Sequence, residues 1–425
     1  MFRFIVALVW LALVPVPAQA AEWLAGDGHV HTCYSHDSWC PPDDDNTGPD
    51  TFYSSFATVG QRFAEARAKG LDFLVISDHN DVRAWRDPAF GSQGVIGVHA
   101  YEASLPGGHA HALGVSRVHE RGPAATPEEA AESLRAMQKA IRKDGGMLQA
   151  NHPGYSIESA VDGCEDLGLD RWATTPMHWR YGFAVRPDTI EVWNPTTLLQ
   201  PGELLWECWL QRGERIPATA GSDSHGGNQL NLGLPTLYVL VEARSEAAVL
   251  EAIRAGRTTI TRRPPSAGEL RLVLEAPGGA TLGDDVPPGT PITARVEGAG
   301  AGFLRVRANG RTVLDAEPIA AGAPVTFPAP AEPGWVRASL LMSAASFAEV
   351  DPACSAGPIT GNAPLATCAD DLLVAAMTSP MYVGRRPPMG VERPQGPAVR
   401  RRIGPDRRDE PDDQAPIPAV RHSFG

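Results

Sequence analysis

A chain of 425 residues with 43% apolar and 20% charged side chains has ample material for a packed core, which excludes wholesale disorder. Its 43 Gly and 39 Pro favour many short elements over long helices or coiled coil, and at ~150 residues per domain the prior is two domains. The formal charge of -13 repels phosphate backbones and argues against a stable nucleic-acid complex, although metal ions could still recruit a small anion locally.

At the start of the chain Arg3 precedes an apolar run from Phe4 to Pro15, followed by Ala18-Gln19-Ala20 and Ala21. This is the pattern of a cleavable signal peptide over residues 1–20, with cleavage near Ala20. The run is too short to cross ~30 Å of hydrocarbon and no later segment supplies ~18 uninterrupted apolar residues, so no transmembrane segment is expected. A secreted or periplasmic location follows, where the six cysteines can pair. Pairing Cys354 with Cys368 and Cys33 with Cys40 would leave Cys164 with Cys208, but the sequence leaves the connectivity open.

Residues 21–263 alternate strand-like runs with amphipathic helical segments, and this part reads as one domain. Gly28-His29-Val30-His31-Thr32 places two imidazoles two residues apart at a strand end, so both point the same way. Asp43-Asp44-Asp45 reads as a solvated acidic loop. A helix is predicted over Thr58 to Lys69, with Val59, Phe63 and Ala66 on one face and Gly70 as its stop. The strand Leu71 to Ser77 follows and ends in Ser77-Asp78-His79-Asn80. Glu102 follows the apolar run Val95 to Tyr101, and Gly108-His109-Ala110-His111 is placed in a glycine-flanked turn after it. Thr126 with Glu129 forms a capping box around Pro127, opening a helix to Lys143 whose buried stripe is Leu134, Met137 and Ile141.

After Gly145-Gly146 the strand Met147 to Ala150 leads into Asn151-His152-Pro153-Gly154. Tyr155 to Thr197 is long for a loop and holds Trp172, His178, Trp179, Arg180 and Tyr181. It reads equally as a packed insertion and as a lid whose Arg180 meets an anionic group of the substrate. A helix from Pro201 to Gly213 and the strand Ile216 to Ala220 precede Gly221-Ser222-Asp223-Ser224-His225. A last helix, Ser245 to Ala255, ends at Gly256.

This alternation predicts an α/β fold with a parallel sheet and helical crossovers. Polar residues follow at least five of the strands, and they converge on one point only if the sheet curls into a barrel. Residues 264–384 differ in texture: short period-two runs between Gly/Pro turns, with a two-residue hairpin at Asn309-Gly310, predict a small antiparallel β-sandwich. Residues 385–425 hold 9 Arg and 6 acidic residues with frequent Pro, and are expected to be a disordered tail.

Eleven of the 12 histidines precede position 226. Taken singly, a histidine ending a strand is more often a hydrogen-bonded structural residue. Six such sites with carboxylates beside them are explained together by a multinuclear metal centre. This order of motifs resembles the PHP superfamily (polymerase and histidinol phosphatase) over about Gly26 to Arg263. The leader and trailing β-domain resemble its secreted carbaryl-hydrolase-like branch. The resemblance implies a distorted (β/α)7 barrel with two or three Zn, Mn or Fe ions at its strand ends. It implies that His29, His31, Glu102 and Asp223 hold one ion, with Glu102 bridging to a second held by His152 and either His109, the better match, or His111. His79 and His225 would hold a third, completed by His36 or Asp37, of which Asp37 has the better spacing.

Two close dications lower the pKa of a bridging water enough to supply hydroxide at neutral pH and bind the substrate oxygen on which charge builds, so no serine or cysteine nucleophile is needed. His225 and Asp78 are the candidate acids for the leaving group. The expected function is a secreted metal-dependent hydrolase of a small molecule, a phosphoesterase by superfamily habit. The alternatives are a carbamate or amide hydrolase on the same centre, and an inactive metal- or carbohydrate-binding surface protein.

Overall fold

A computed structural model of the chain describes residues 21–35, 57–105, 107–153, 164, 179, 181–194, 199–225, 231–298, 300–343 and 372–384. The expected signal peptide, the Asp43–Asp45 loop, Cys354, Cys368 and the tail over 385–425 lie outside the described residues.

In chain order the first half runs β1 (Glu22–Val30), α1 (Val59–Lys69), β2 (Phe73–Ile76), β3 (Ile96–Leu105), β4 (Gly108–Leu113), α2 (Pro127–Lys143), β5 (Met147–Ala150) and β6 (Thr189–Trp193). It continues through α3 (Leu199–Gln211), β7 (Ala218–Ala220), β8 (Thr236–Val241), α4 (Glu246–Ala255) and β9 (Thr258–Thr261). Strands then follow one another without α-helices: β10 (Leu270–Glu275), β11 (Asp285–Val286), β12 (Pro291–Gly298), β13 (Ala301–Ala308), β14 (Arg311–Ala320), β15 (Val325–Pro328), β16 (Gly334–Ser343), β17 (Leu372–Thr378) and β18 (Met381–Val383). The fold is mixed α/β, dominated by one large sheet with few helices.

Local chemistry sets the helix ends. Thr58 and Gln61 form a complete capping box at α1: the Thr58 amide donates to Gln61 Oε1 (2.8 Å) and the Gln61 amide to Thr58 Oγ1 (3.3 Å). At α2 only half of the expected box exists. Thr126 Oγ1 accepts from the Glu129 amide, but the Glu129 carboxylate accepts from the Ala125 amide (2.7 Å), one residue earlier than the capping box requires. Leu134, Met137 and Ile141 are buried on the inner face of α2, each contributing roughly 1.5–3 kcal/mol of apolar burial as an upper estimate.

In the large sheet the order β8-β1-β2-β3-β4-β5-β6-β7 carries the site. β1, β2 and β3 are parallel, as are β5, β6 and β7, but β4 runs antiparallel to both neighbours and β8 antiparallel to β1. The sheet is therefore mixed where a parallel one was expected. The reason lies in β3, which runs on through Glu102 to Leu105, so that Gly108-His109-Ala110-His111 is a returning strand and not a turn. Helices α2, α3 and α4 cover β5, β6 and β8. Beyond β7 the chain returns to β1: Asp223 N donates to His29 O (2.9 Å) and His31 N to Ser224 O (3.0 Å). This approach needs glycine. A Cβ on Gly28 would lie 2.3 Å from Ala220 O, and one on Gly221 2.3 Å from the Cβ of His29.

Across residue 264 the large sheet is continuous, since β17 pairs with β9 and β16 with β17. β13 and β14 form the expected hairpin, with Asn309 (φ 49°) and Gly310 (φ 78°) both left-handed. β10, β12 and β15 form a separate antiparallel sheet, and Leu272, Leu274, Ile292 and Ala294 from it share a core with Val306, Ala338 and Leu340 of the large one.

The stretch read as a loop over Tyr155 to Thr197 is corrected in its second half. Trp179 and Tyr181 are buried in the main core, and β6 is fully buried because α3 packs over it. Arg180 lies outside the described residues. Cys164 is disulfide-bonded to Cys208 of α3, with Cα atoms 5.4 Å apart, and Cys33 is also in a disulfide, with a partner outside the described residues. Among the described residues no helix is long and apolar enough to cross a membrane.

Candidate metal centre

The ends of successive strands bring seven histidines and three carboxylates together. His29 is the penultimate residue of β1 with His31 just beyond the strand, His79 follows β2, Glu102 lies in β3, His109 and His111 in β4, His152 follows β5, Glu191 lies in β6, and Asp223 and His225 follow β7. Glu102 is seated by backbone bonds from its amide to the carbonyls of Ser77 and Asp78, and the Asn80 amide donates to its carbonyl. His152 and Asp223 adopt positive φ, 26° and 52°, a strain that persists only where surrounding bonds impose it.

The group with four donors is His29, His31, Glu102 and Asp223. His29 Nε2 lies 3.0 Å from His31 Nε2, 3.1 Å from Glu102 Oε2 and 3.3 Å from Asp223 Oδ1. His31 Nε2 lies 3.3 Å from the same glutamate oxygen and 3.1 Å from the same aspartate oxygen. Each Nε2 carries at most one proton yet faces three partners, more than that one proton can bond well. A tetrahedron with such edges has its centre ~2 Å from each corner, the length of a Zn–N or Zn–O bond. The donors thus fit a divalent transition ion.

Glu102 serves a second group with its other oxygen. Oε1 lies 3.2 Å from His109 Nδ1, 3.1 Å from His152 Nε2, and accepts from Asn151 Nδ2 at 2.8 Å. Oε2 is also 3.4 Å from His79 Nδ1. A third cluster joins His31, His79 and His225, where the rings of His31 and His225 stack at 4.0 Å. Asp37 and His36, the alternatives for completing this cluster, lie outside the described residues. Between the two β4 histidines the structure separates roles. His109 faces Glu102, whereas the His111 ring packs edge-on against His29 (4.2 Å) and accepts from Gln149 Nε2 (3.1 Å) at Nδ1.

Three histidines are aimed by what holds their other nitrogen. His29 Nδ1 donates to Glu191 Oε1 (3.0 Å) and His225 Nδ1 to the Asp223 carbonyl (2.9 Å), while His31 Nδ1 is hydrogen-bonded to Ser35 Oγ (3.2 Å). A proton fixed on Nδ1 leaves the Nε2 lone pair free for a cation. Glu191 also accepts from the His152 amide (2.7 Å), so one buried carboxylate orients two donor residues. Sequence reasoning missed Glu191, although an acid in the middle of the apolar strand Thr189–Trp193 was its signal.

Burial opposes charge throughout, and the neighbours reverse it. Burial alone would depress His29, but Glu102, Asp223 and Glu191 hold it well above the ordinary histidine value; His31 is likewise raised to about 9, by Asp223 and Glu102. Glu102 and Asp223, despite burial, are held well below the ordinary carboxylate range, chiefly by His29. Burial and the neighbouring His29 push His111 well down, leaving it neutral. Asp78 is pushed up to about 6 by burial, against the pull of His31. Its oxygens accept from the Thr32 amide (2.5 Å) and hydroxyl (2.7 Å), so this proposed acid is engaged in anchoring the loop after β1.

No protein-family model matches the chain, and no curated protein matches it. Among solved structures it is similar to a two-domain protein from Bacteroides vulgatus containing a predicted PHP-like metal-dependent phosphoesterase: 16% identity over 79% of this chain and 95% of that one, TM-score 0.42. It is also similar to a lesion-specific endonuclease from Pyrococcus furiosus (15% identity, 61% and 64% of the two chains, TM-score 0.35). A third is an amidohydrolase from Chromobacterium violaceum (16% identity, 49% and 89%, TM-score 0.29). At these identities and scores the site's chemistry is decided by its own donors.

Proposed function

We propose that the chain is a secreted hydrolase dependent on two or three divalent transition ions, Zn, Mn or Fe, and that it cleaves phosphoesters of a small molecule. The observation that carries this reading is Glu102, whose two oxygens are divided between two donor groups, Oε2 to His29 and His31 and Oε1 to His109 and His152. A carboxylate split in this way is suited to joining two ions. In the proposed assignment His29, His31, Glu102 and Asp223 hold one ion, Glu102, His109 and His152 a second, and His79, His225 and Asp37 a third, on a sheet curled as a distorted (β/α)7 barrel followed by a β-sandwich over 264–384.

Ions bound there would supply a hydroxide at neutral pH and a positive seat for the oxygen on which charge builds. The chain's own residues would do the rest. Glu191 and Ser35 hold the outer nitrogens of His29 and His31, Asn151 fixes Glu102, and where only two ions bind, so that its Nε2 is protonated and not coordinated, His225 is the proposed proton donor to the leaving group, with Arg180 proposed to meet an anionic part of the substrate. The disulfide Cys164–Cys208 supports an oxidising compartment.

The test is metal content of the purified protein by elemental mass spectrometry, with turnover of p-nitrophenyl phosphate, bis-p-nitrophenyl phosphate and a naphthyl carbamate. Two or three ions per chain and phosphoester turnover lost in Asp223→Ala and His152→Ala are expected. Carbamate turnover alone would move the reaction to a C–N or C–O acyl bond on the same centre. Near-zero metal after reconstitution with zinc and manganese would overturn the reading.

A further inference from the structure

Arg62 stands on the apolar face of α1 beside Val59, Phe63 and Ala66, and is fully buried. A charged group there costs heavily unless its donors are matched. They are matched by backbone at the metal centre. Nε donates to the His31 carbonyl (2.9 Å), Nη2 to the Ser224 carbonyl (2.7 Å) and Nη1 to Ser224 Oγ (3.1 Å). The Ser224 carbonyl accepts in addition from the His31 amide. One guanidinium therefore ties the end of β1 to the segment after β7, at His31 itself and at the residue between Asp223 and His225. The carboxylate paired with it, Glu65, is 3.4 Å from Nη1 and partly exposed, so the ion pair is long and the shorter bonds are those to His31 and Ser224.

We propose that Arg62 is a positioning residue for the metal centre, fixing the approach of β1 and the post-β7 segment so that His31 and Asp223 are preset as neighbouring donors to one ion. The inference rests on the metal-centre reading above. Nothing else among the described contacts sets both carbonyls from outside the sheet. A planar fork can hold two acceptors at fixed spacing, which an ammonium on a flexible stem cannot reproduce. Loss of the fork leaves the donors in place but lets their spacing drift, and misplaced supports of this kind cost metal affinity.

The experiment titrates zinc into chelator-stripped protein against a chromophoric competitor, for the wild type, Arg62→Lys, Arg62→Gln and Arg337→Lys. Arg337 is an equally buried arginine whose partners are Glu203 and Glu207, away from the histidines. Expected are zinc binding at least tenfold weaker in both Arg62 variants, unchanged zinc affinity in Arg337→Lys, and comparable losses of metal-free melting temperature in Arg62→Lys and Arg337→Lys. Wild-type zinc affinity in a folded Arg62→Lys would overturn the proposal. If neither Arg62 variant folds, Ser224→Ala decides: it keeps the arginine and deletes one acceptor, so weakened zinc binding supports the clamp and unchanged binding overturns it. A wild type that binds neither zinc nor manganese would instead remove the metal-centre reading itself.

Discussion

The Nε2 atoms of His29 and His31 stand 3.0 Å apart with an oxygen of Glu102 and one of Asp223 against both. With Nδ1 of His29 and His31 bonded to Glu191 and Ser35, the two facing Nε2 atoms repel unless a cation or a proton lies between them. Ion binding should therefore stabilise the fold directly. At free zinc ~100 times its dissociation constant the gain is about 2.7 kcal/mol for one site, a rise of several degrees in melting temperature. Calorimetry of stripped protein with and without zinc or manganese measures it, and coincident melts would contradict the relationship.

Glu191 is the next lever, because it accepts from His29 Nδ1 and from the His152 amide with separate oxygens. In Glu191→Gln one of those acceptors becomes an NH2 group facing a donor. Zinc affinity should fall by about 10- to 100-fold, as for other partners of metal-bound histidines, while far-UV circular dichroism stays that of the wild type. A competitor titration reads the affinity; a wild-type constant would assign Glu191 a packing role only.

Gly221→Ala tests the closing of β7 onto β1. The added methyl would lie 2.3 Å from His29 Cβ and 2.4 Å from His29 N, both parts of a fully buried residue. Backbone must move, at a cost of about 1–3 kcal/mol or more, and it moves His29 with it. Both a lower urea midpoint and lost zinc stoichiometry are expected. A variant that melts lower but binds zinc normally would show that the strand ends adjust independently of the donors.

What could be read from the chain and what could not divide along a physical line. His29 and His31, or Asp223 and His225, are paired donors beside glycine breaks, so their strand-end positions were visible in residue order. Glu191 is a single charged residue inside an apolar strand and Arg62 a charged residue on the buried face of α1, and only tertiary pairing reveals why they are tolerated there. β4 is hidden in the sequence by Gly107-Gly108, whose turn signal masks the strand that begins directly at Gly108. The meeting of the strand ends of β1 and β7 brings together donors that are paired in residue order, whereas the continuity of the sheet through β9 and β17 depends on strand pairing more than 100 residues apart, which leaves no local signature.

Glu207 carries the last prediction. It lies buried between α3 and the C-terminal strands, accepting from Arg307 Nε (2.6 Å) and pairing with the fully buried Arg337. Burial alone would raise its pKa, but Arg337 and Arg307 hold it below the ordinary 4.5. A depressed folded value means that the unfolded chain binds the proton more readily, so the stabilisation is present above pH 4.5 and is lost as the pH falls through the folded value. Urea midpoints should thus fall between pH 5 and more acid conditions, with a shallower fall in Glu207→Gln. At pH 7 that variant should be less stable by about 3–5 kcal/mol, because Arg337 keeps its buried charge with only Glu203 beside it. Equal pH slopes in the two proteins would show that Glu207 is not depressed, and that the arginines are balanced by Glu203 and solvent.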